Sequence, residues 1–598
     1  MYLKRNSLLG FVLLLSMILG ACAGSGAPET VIVTVEGEGG VETVIVTATP
    51  QPEPVEPVTY YGADLSDIPT LDPQIGEDIT SINYVENLFM NLTNVDVETN
   101  EIVPEAATSW DISADGLTYT FTLRTDIPWV RHNPVTGETI QEVDADGNPR
   151  FLTAYDFEYG IKRACDPAIG SYYSSVIAPT IKGCSDYLFA ETPTPELYDA
   201  IGVVALDESL LQINLEFPAA FFITMTPMWT LAATPQWAIE ENGENWIEAG
   251  NIVTNGRYVL HEWVHNNRRI MIRNPLLPED LRGEGNVERH VVNVVPDQST
   301  AYALWLNADI DYFGAVPDEE LQAQLQQFPD ETAQIADLTT FYIAFRMSKA
   351  PFDNVHVRRA FSMAFDKQLF IDTVRQGQGI VMNHFTGPGI FGAPPMDEVG
   401  QGFDAELARE ELAEAGYPNC EGFPPVTLLG YSGQNTLNWI EYAAAQWQEN
   451  LGCDASRITI EQLPFSELLA GTKASSPDED VPHMWTLGWG PDYADANNML
   501  GDVLWCEGEN RSKRSCNELD DLIIEARLET DPATRVELYR ELEDGFFGRE
   551  GEFPLFPIFL RIQYAPQHSW LNRPLSLFGG QQVYNYTIDQ AAQLAARG

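Results

Sequence analysis

The sequence predicts a mixed α/β protein of more than one domain, and three observations carry that reading. The chain has 598 residues, whereas single hydrophobic cores stop growing at about 250 to 300. A composition of 44% hydrophobic and 11% aromatic residues belongs to a chain that buries a core despite its acidity. From Tyr60 onward, strand-like and helix-like periodicities alternate with turn signals between them. Two or three domains are therefore expected.

At the N-terminus, Lys4 and Arg5 precede an apolar run from Leu8 to Leu19, too short to span a bilayer comfortably and read as an export signal. The run ends in Leu19-Gly20-Ala21-Cys22, which resembles the bacterial lipobox, so residues 1–22 read as a lipoprotein signal peptide and Cys22 as the lipidated first residue of the mature chain. Residues 23–58 read as a Pro-rich flexible tether: ETVIVT occurs at Glu29–Thr34 and again at Glu42–Thr47, followed by prolines from Pro50 to Pro57. Prolines make such a spacer extended and semi-rigid, and the Val/Ile alternation allows a transient strand.

In the body of the chain, Leu117, Tyr119, Phe121 and Leu123 occupy every second position, the mark of a half-buried strand. Helical spacing appears at Ala154–Arg163, Val357–Phe365, Asp404–Ala415 before a Gly416 stop, and Leu519–Arg527. Beyond Cys22, the cysteines are Cys165, Cys184, Cys420, Cys453, Cys506 and Cys516, an even number in an exported chain and so candidate disulfides. Nearest neighbours would pair into three bridges, but sequence leaves the connectivity open. The net charge of −55 excludes nucleic acid as a partner, because phosphate binding needs the opposite balance; the acid reads as a solvated surface.

Several motifs point to chemistry. His261-Glu262-Trp263-Val264-His265 matches HExxH letter for letter, but that motif chelates zinc only on a helix. Here it lies between two alternating runs joined at Asn266-Asn267, a hairpin signal, and on a strand residues four apart stand roughly 13 Å from each other. Asp144-Ala145-Asp146-Gly147-Asn148 hints at a calcium loop, yet its Gly comes too early and its twelfth position is Tyr155; a hairpin turn fits better. No Walker-type loop and no GxSxG elbow is present. Neither enzyme activity nor a metal or cofactor is expected.

Seven blocks in order make the chain resemble the peptide/nickel class of extracytoplasmic solute-binding proteins, the oligopeptide- and dipeptide-binding family of ABC transporters. They are PTLDPQ (69–74), ATSWDISADGLTYTFTLR (107–124), LTAYDFEYGIKRACDP (152–167), NIVTNGRYVLHEW (251–263), APFDNVHVRRAFSMAFDK (350–367), ELAEAGY (411–417) and GWGPDYADANNML (488–500). The resemblance implies a two-lobed periplasmic-binding-protein fold of type II with an extra domain, closing over a ligand cleft. Residues 59–93, 223–339 and 555–598 would form lobe I, 94–222 the extra domain and 340–554 lobe II.

It also implies the site. Asp492 would pair with the α-ammonium of a peptide, because a cation leaving water needs a fixed counter-charge with hydrogen bonds. Trp489 would offer a wall suited to broad specificity, and backbone at Gly488–Gly490 and Asp78–Ser81, including Ile79 and Thr80, would pair with the ligand as an added strand. Tyr172, Tyr173 and Tyr342 are further candidate pocket aromatics. Some relatives hold the ligand carboxylate with an Arg two residues before the Gly-Trp pair, where this chain has Thr486. The expected partners are a small-molecule ligand, chiefly oligopeptide, and ABC permease subunits, with the protein a lipid-anchored monomer outside the cytoplasm. An oligosaccharide, nickel chelate, haem or glutathione ligand, and a sensor without transport, remain alternatives.

Overall fold

The computed structural model describes residues 30–37, 40–47, 56–317, 319–574 and 581–598. Cys22 and the export signal lie outside them. Thr30–Gly37 and Gly40–Thr47 pair as an antiparallel hairpin with Val33 opposite Val44, so residues 30–34 and 42–47 lie in strands, as the Val/Ile alternation allows. The alternating β-branched residues favour pairing with each other over separate extension. This unit ends at Pro57, and Val58 already belongs to the body, where its carbonyl accepts from the N–H groups of Glu288 and Arg289.

The body, Val58–Gly598, is a single compact unit organised on three main sheets. The first has five strands in the order Tyr258–Val264, Arg268–Arg273, Arg289–Val294, Thr59–Asp64 and Tyr312–Phe313. The second has four, Val203–Ala205, Leu210–Asn214, Thr118–Leu123 and Ala107–Ile112. In its central strand Tyr119, Phe121 and Leu123 are buried and the residues between them are not, as the alternation requires. The third has six: Ile380–Val381, Leu555–Pro566, Thr332–Phe345, Met484–Trp489, Val426–Tyr431 and Ile458–Leu463.

The expected helices form at Ala154–Ala164, Val355–Met363, Ala405–Glu414 and Glu518–Leu528. Their ends follow from capping chemistry. Asp404 accepts from the N–H groups of Glu406 and Leu407, and Asn517 closes a capping box with Asp520. Gly416 stops the third helix at a φ of 92°, a conformation that favours glycine.

Two of the sequence blocks meet in space. The guanidinium of Arg163 donates to both carboxylate oxygens of Asp72 at 2.7 Å, tying PTLDPQ to KRACDP between the five- and four-stranded sheets. These sheets share one continuous core that includes Tyr60, Phe121, Phe157 and Tyr258. The six-stranded sheet has a separate core.

Two long strands join those cores side by side. Thr332–Phe345 pairs antiparallel with Leu555–Pro566, with a register shift between Ala336 and Thr340. Leu555, Phe556, Ile558 and Phe559 pack in the core of the six-stranded sheet, whereas Ala565 packs in the other. Hydrogen-bonded pairing thus carries this strand from one core into the other.

Disulfides join Cys165 to Cys184, Cys420 to Cys453 and Cys506 to Cys516, with Cα separations of 5.4, 4.9 and 5.1 Å. No helix among the described residues is long and apolar enough to cross a membrane. The first four HExxH letters end a strand of a hairpin and His265 begins its turn. His261 Nδ1 meets His132 Nε2 at 2.9 Å, while His265 turns to Glu248 at 3.3 Å, so the two imidazoles do not converge. Among the described residues the one cluster of metal-type ligands is Cys506, Cys516 and Asp520, whose sulfurs are bonded to each other. Asp144 folds a turn by accepting from the N–H groups of Asp146 and Asn148 at 2.9 Å each.

Candidate functional site

The strand Met484–Trp489 lies inside the six-stranded sheet, antiparallel to Thr332–Phe345 and parallel to Val426–Tyr431. Its first four residues are buried and its last two emerge, which places Gly488 and Trp489 at the carboxyl end of a strand, where open α/β sheets bind ligands. Gly488 faces Phe341, and a Cβ there would stand 2.9 Å from that ring, so packing within the sheet demands glycine. Beyond the strand the chain turns through Asp492 into a short π-helix at Asn497–Asp502, a local irregularity common at functional sites.

A cavity of about 550 Å³ opens at this point, within the range of ligand pockets. One wall consists of Gly488, Trp489, Gly490, Asp492, Asp502, Trp505, Glu509 and Arg527; the other comes from Tyr172, Tyr173, Pro179, Thr180 and Phe189. The second wall is aromatic and braced from behind, for Tyr173 packs edge-on against Trp229 with centroids 4.7 Å apart. Tyr493 stacks on Phe221 across the same junction at 5.6 Å.

Asn498 organises the acidic wall. Its Oδ1 accepts from Trp489 Nε1 at 2.9 Å and from the Asp492 N–H at 3.1 Å. Its Nδ2 donates to Asp492 Oδ2 and to Asp502 Oδ2, each at 3.2 Å. Tyr493 also donates to Asp502 Oδ2, at 2.7 Å. Burial pushes the Asp492 carboxyl up to about 6, aided by the charge of Glu509 and opposed by hydrogen bonds from Asn498 and Tyr173. Burial likewise raises Asp502 to about 6, aided by Asp492 and opposed by Tyr493 and Arg527. Two carboxylates with incomplete solvation share one cavity, an arrangement that attracts a cation able to donate several hydrogen bonds.

Of the residues expected from sequence, Tyr172, Tyr173, Gly488, Trp489, Gly490 and Asp492 line this one cavity. Ile79 and Thr80 do not. They line a separate recess of about 340 Å³ with Tyr60, Asp64 and His290. Nor do they present a strand edge, because Asp78 caps the helix Ile79–Leu88 by accepting from the Ser81 N–H at 2.9 Å. Tyr342 lines neither. It is buried on a strand enclosed on both faces and packs edge-on against Phe385. Thr486 is also fully buried. Sequence reading missed Asn498, Asp502, Trp505, Glu509 and Arg527. In sequence, Asn498 is one of a pair of asparagines after Asp492, and Arg527 is the last residue of the expected helix Leu519–Arg527.

Comparison with known proteins gives a consistent answer. The model of the bacterial extracellular solute-binding proteins, family 5 (middle), matches residues 101–510. The periplasmic oligopeptide-binding protein OppA of Escherichia coli (strain K12) is 28% identical over 491 residues, covering 80% of this chain and 83% of its own. The probable deoxycholate-binding periplasmic protein YgiS of the same strain is 28% identical over 501 residues, covering 83% and 86%. The structure of MppA, a periplasmic murein tripeptide-binding protein in its unliganded open form, superimposes with a TM-score of 0.72 at 24% identity, covering 89% of this chain and 98% of that one. That last likeness is one of fold.

Proposed function

The chain belongs to the family-5 bacterial extracellular solute-binding proteins, and from that premise we propose that it captures oligopeptides outside the cytoplasm, tethered by a lipidated Cys22, and delivers them to an ABC permease. It is a substrate-binding protein of a transporter, not an enzyme, and its fold is the two-lobed one of that family. The observation that carries the peptide reading is Asp492: a carboxylate set in a cavity of about 550 Å³ between an acidic and an aromatic wall, positioned by Asn498 to meet an α-ammonium group. The name of the oligopeptide-binding relative points the same way. The aromatic side, Tyr172, Tyr173 and Phe189, offers flat apolar faces that accept many side chains without selecting one.

Closure supplies the mechanism. A ligand that touches both walls binds the closed arrangement better than the open one and shifts the population toward it, and the permease then engages the loaded form. The test is mass spectrometry of small molecules released on denaturing protein expressed from residue 23. Peptides of narrow length and mixed sequence support the reading; a bile acid, haem, sugar or metal chelate overturns it. Replacing Cys22 with Ala is expected to release the full chain from membranes, and retention would remove the anchor.

A further inference from the structure

Arg527 lines the cavity on the same wall as the acids. It is 8% exposed, its guanidinium lies against the rings of Phe217 at 4.7 Å and Trp505 at 4.8 Å, and its Nε is buried without a hydrogen-bond partner. Among the described residues it forms no ion pair. The acid whose charge it feels, Asp502, already accepts from Tyr493 and Asn498 on its Oδ2. A buried Nε–H without an acceptor, on a guanidinium that has no ion-pair partner, is an unsatisfied donor that an anion would relieve. Two aromatic faces fix its plane while leaving its edge free, which suits two parallel N–H···O bonds to a carboxylate.

We propose that Arg527 is the anion subsite of this cavity and takes the terminal carboxylate of the bound peptide, the role left vacant by Thr486. The inference rests on the peptide reading above. It makes the cavity bipolar: Asp492 receives one end of a short zwitterion and Arg527 the other, so ligand length is set by the span between them. Arg527 stands on the helix Glu518–Leu528, away from the strand that carries Thr486, so the carboxylate would be held from a different element of the same lobe. Contact with Phe217, which belongs to the stretch after the strand Leu210–Asn214, couples this subsite to closure of the two walls.

The experiment is calorimetric titration of the purified protein with alanine peptides of two to five residues, each as free acid and as C-terminal amide. At the length that fits, the free acid is expected to bind at least roughly tenfold tighter, the loss typical of a missing charged hydrogen bond. In Arg527→Gln that preference should vanish while the amide still binds. Arg527→Lys, which retains the charge but not the fork, should reduce the preference without abolishing it and provides the reading if the Gln variant does not fold. Equal affinity of acid and amide in the unaltered protein, or a preference unchanged in either variant, overturns the subsite and leaves the peptide reading standing. Failure of every peptide to bind overturns the peptide reading itself.

Discussion

Two aspartates three residues apart on one turn meet opposite fates. Asp495 is fully buried and satisfied: Arg535 donates to its two oxygens at 3.0 and 2.9 Å, and Tyr539 adds a third bond at 2.9 Å. Asp492 faces the cavity with Asn498 at 3.2 Å and the hydroxyl of Tyr173 as its side-chain partners and, among the described residues, no cation beside it. The two arginines repeat the contrast, Arg535 paired and Arg527 unpaired. Matched charge holds the lobe together, whereas unmatched charge is what the proposed peptide would complete.

The largest effect is expected on the matched side. Arg535→Ala should destabilise the protein by about 3–5 kcal/mol, the usual result of stranding one member of a buried pair, measured by urea unfolding. A loss below about 1 kcal/mol would mean that Asp495 finds water or another donor. On the unmatched side the order of effects reverses. Asp492→Asn should weaken peptide binding at least roughly tenfold and leave unfolding free energy unchanged or slightly raised, since it removes a charge that burial disfavours; unaltered affinity removes the ammonium assignment.

The contrast sharpens with pH. Asp492 and Asp502 both titrate near 6 in the folded protein, against about 4 in an unfolded chain. Between these values the native state holds protons that the unfolded state has released, so the stabilisation these groups give the ligand-free protein is full below about 4 and is lost as pH rises from there through 6. Affinity for an ammonium should run oppositely, rising over the same window as the carboxylates ionise. Parallel slopes for empty-protein stability and binding would refute the assignment. The smallest expected effect is nil: a chelator should change neither melting temperature nor peptide affinity, and a loss of either would restore interest in His261 and His265.

How far the sequence could be read depended on the range of the forces involved. Elements governed by local chemistry were legible to within a residue or two: the strand at Thr118–Leu123, the capped helix behind Asp404, the hairpin that disarms HExxH. The resemblance located Asp492 and Trp489, and the cavity does contain them. What local reading could not supply were the long-range partners. Nothing around Tyr342 announces that both faces of its strand are covered, and nothing around Ile79 distinguishes a helix start from a strand edge until the Asp78 cap is seen. Arg527 is an ordinary helix-end arginine until Trp505 and Phe217 close on it.

The paired strands Thr332–Phe345 and Leu555–Pro566 run from one core to the other, hydrogen-bonded to each other. Such a ribbon resists shear along its length and yields most readily by bending across its face, so the motion it permits has essentially one coordinate. The consequence is informational. If the proposed delivery holds, a docking partner that senses this bend would measure an angle and learn nothing of sequence or composition, so variety in the cargo would require no matching variety in the receiver.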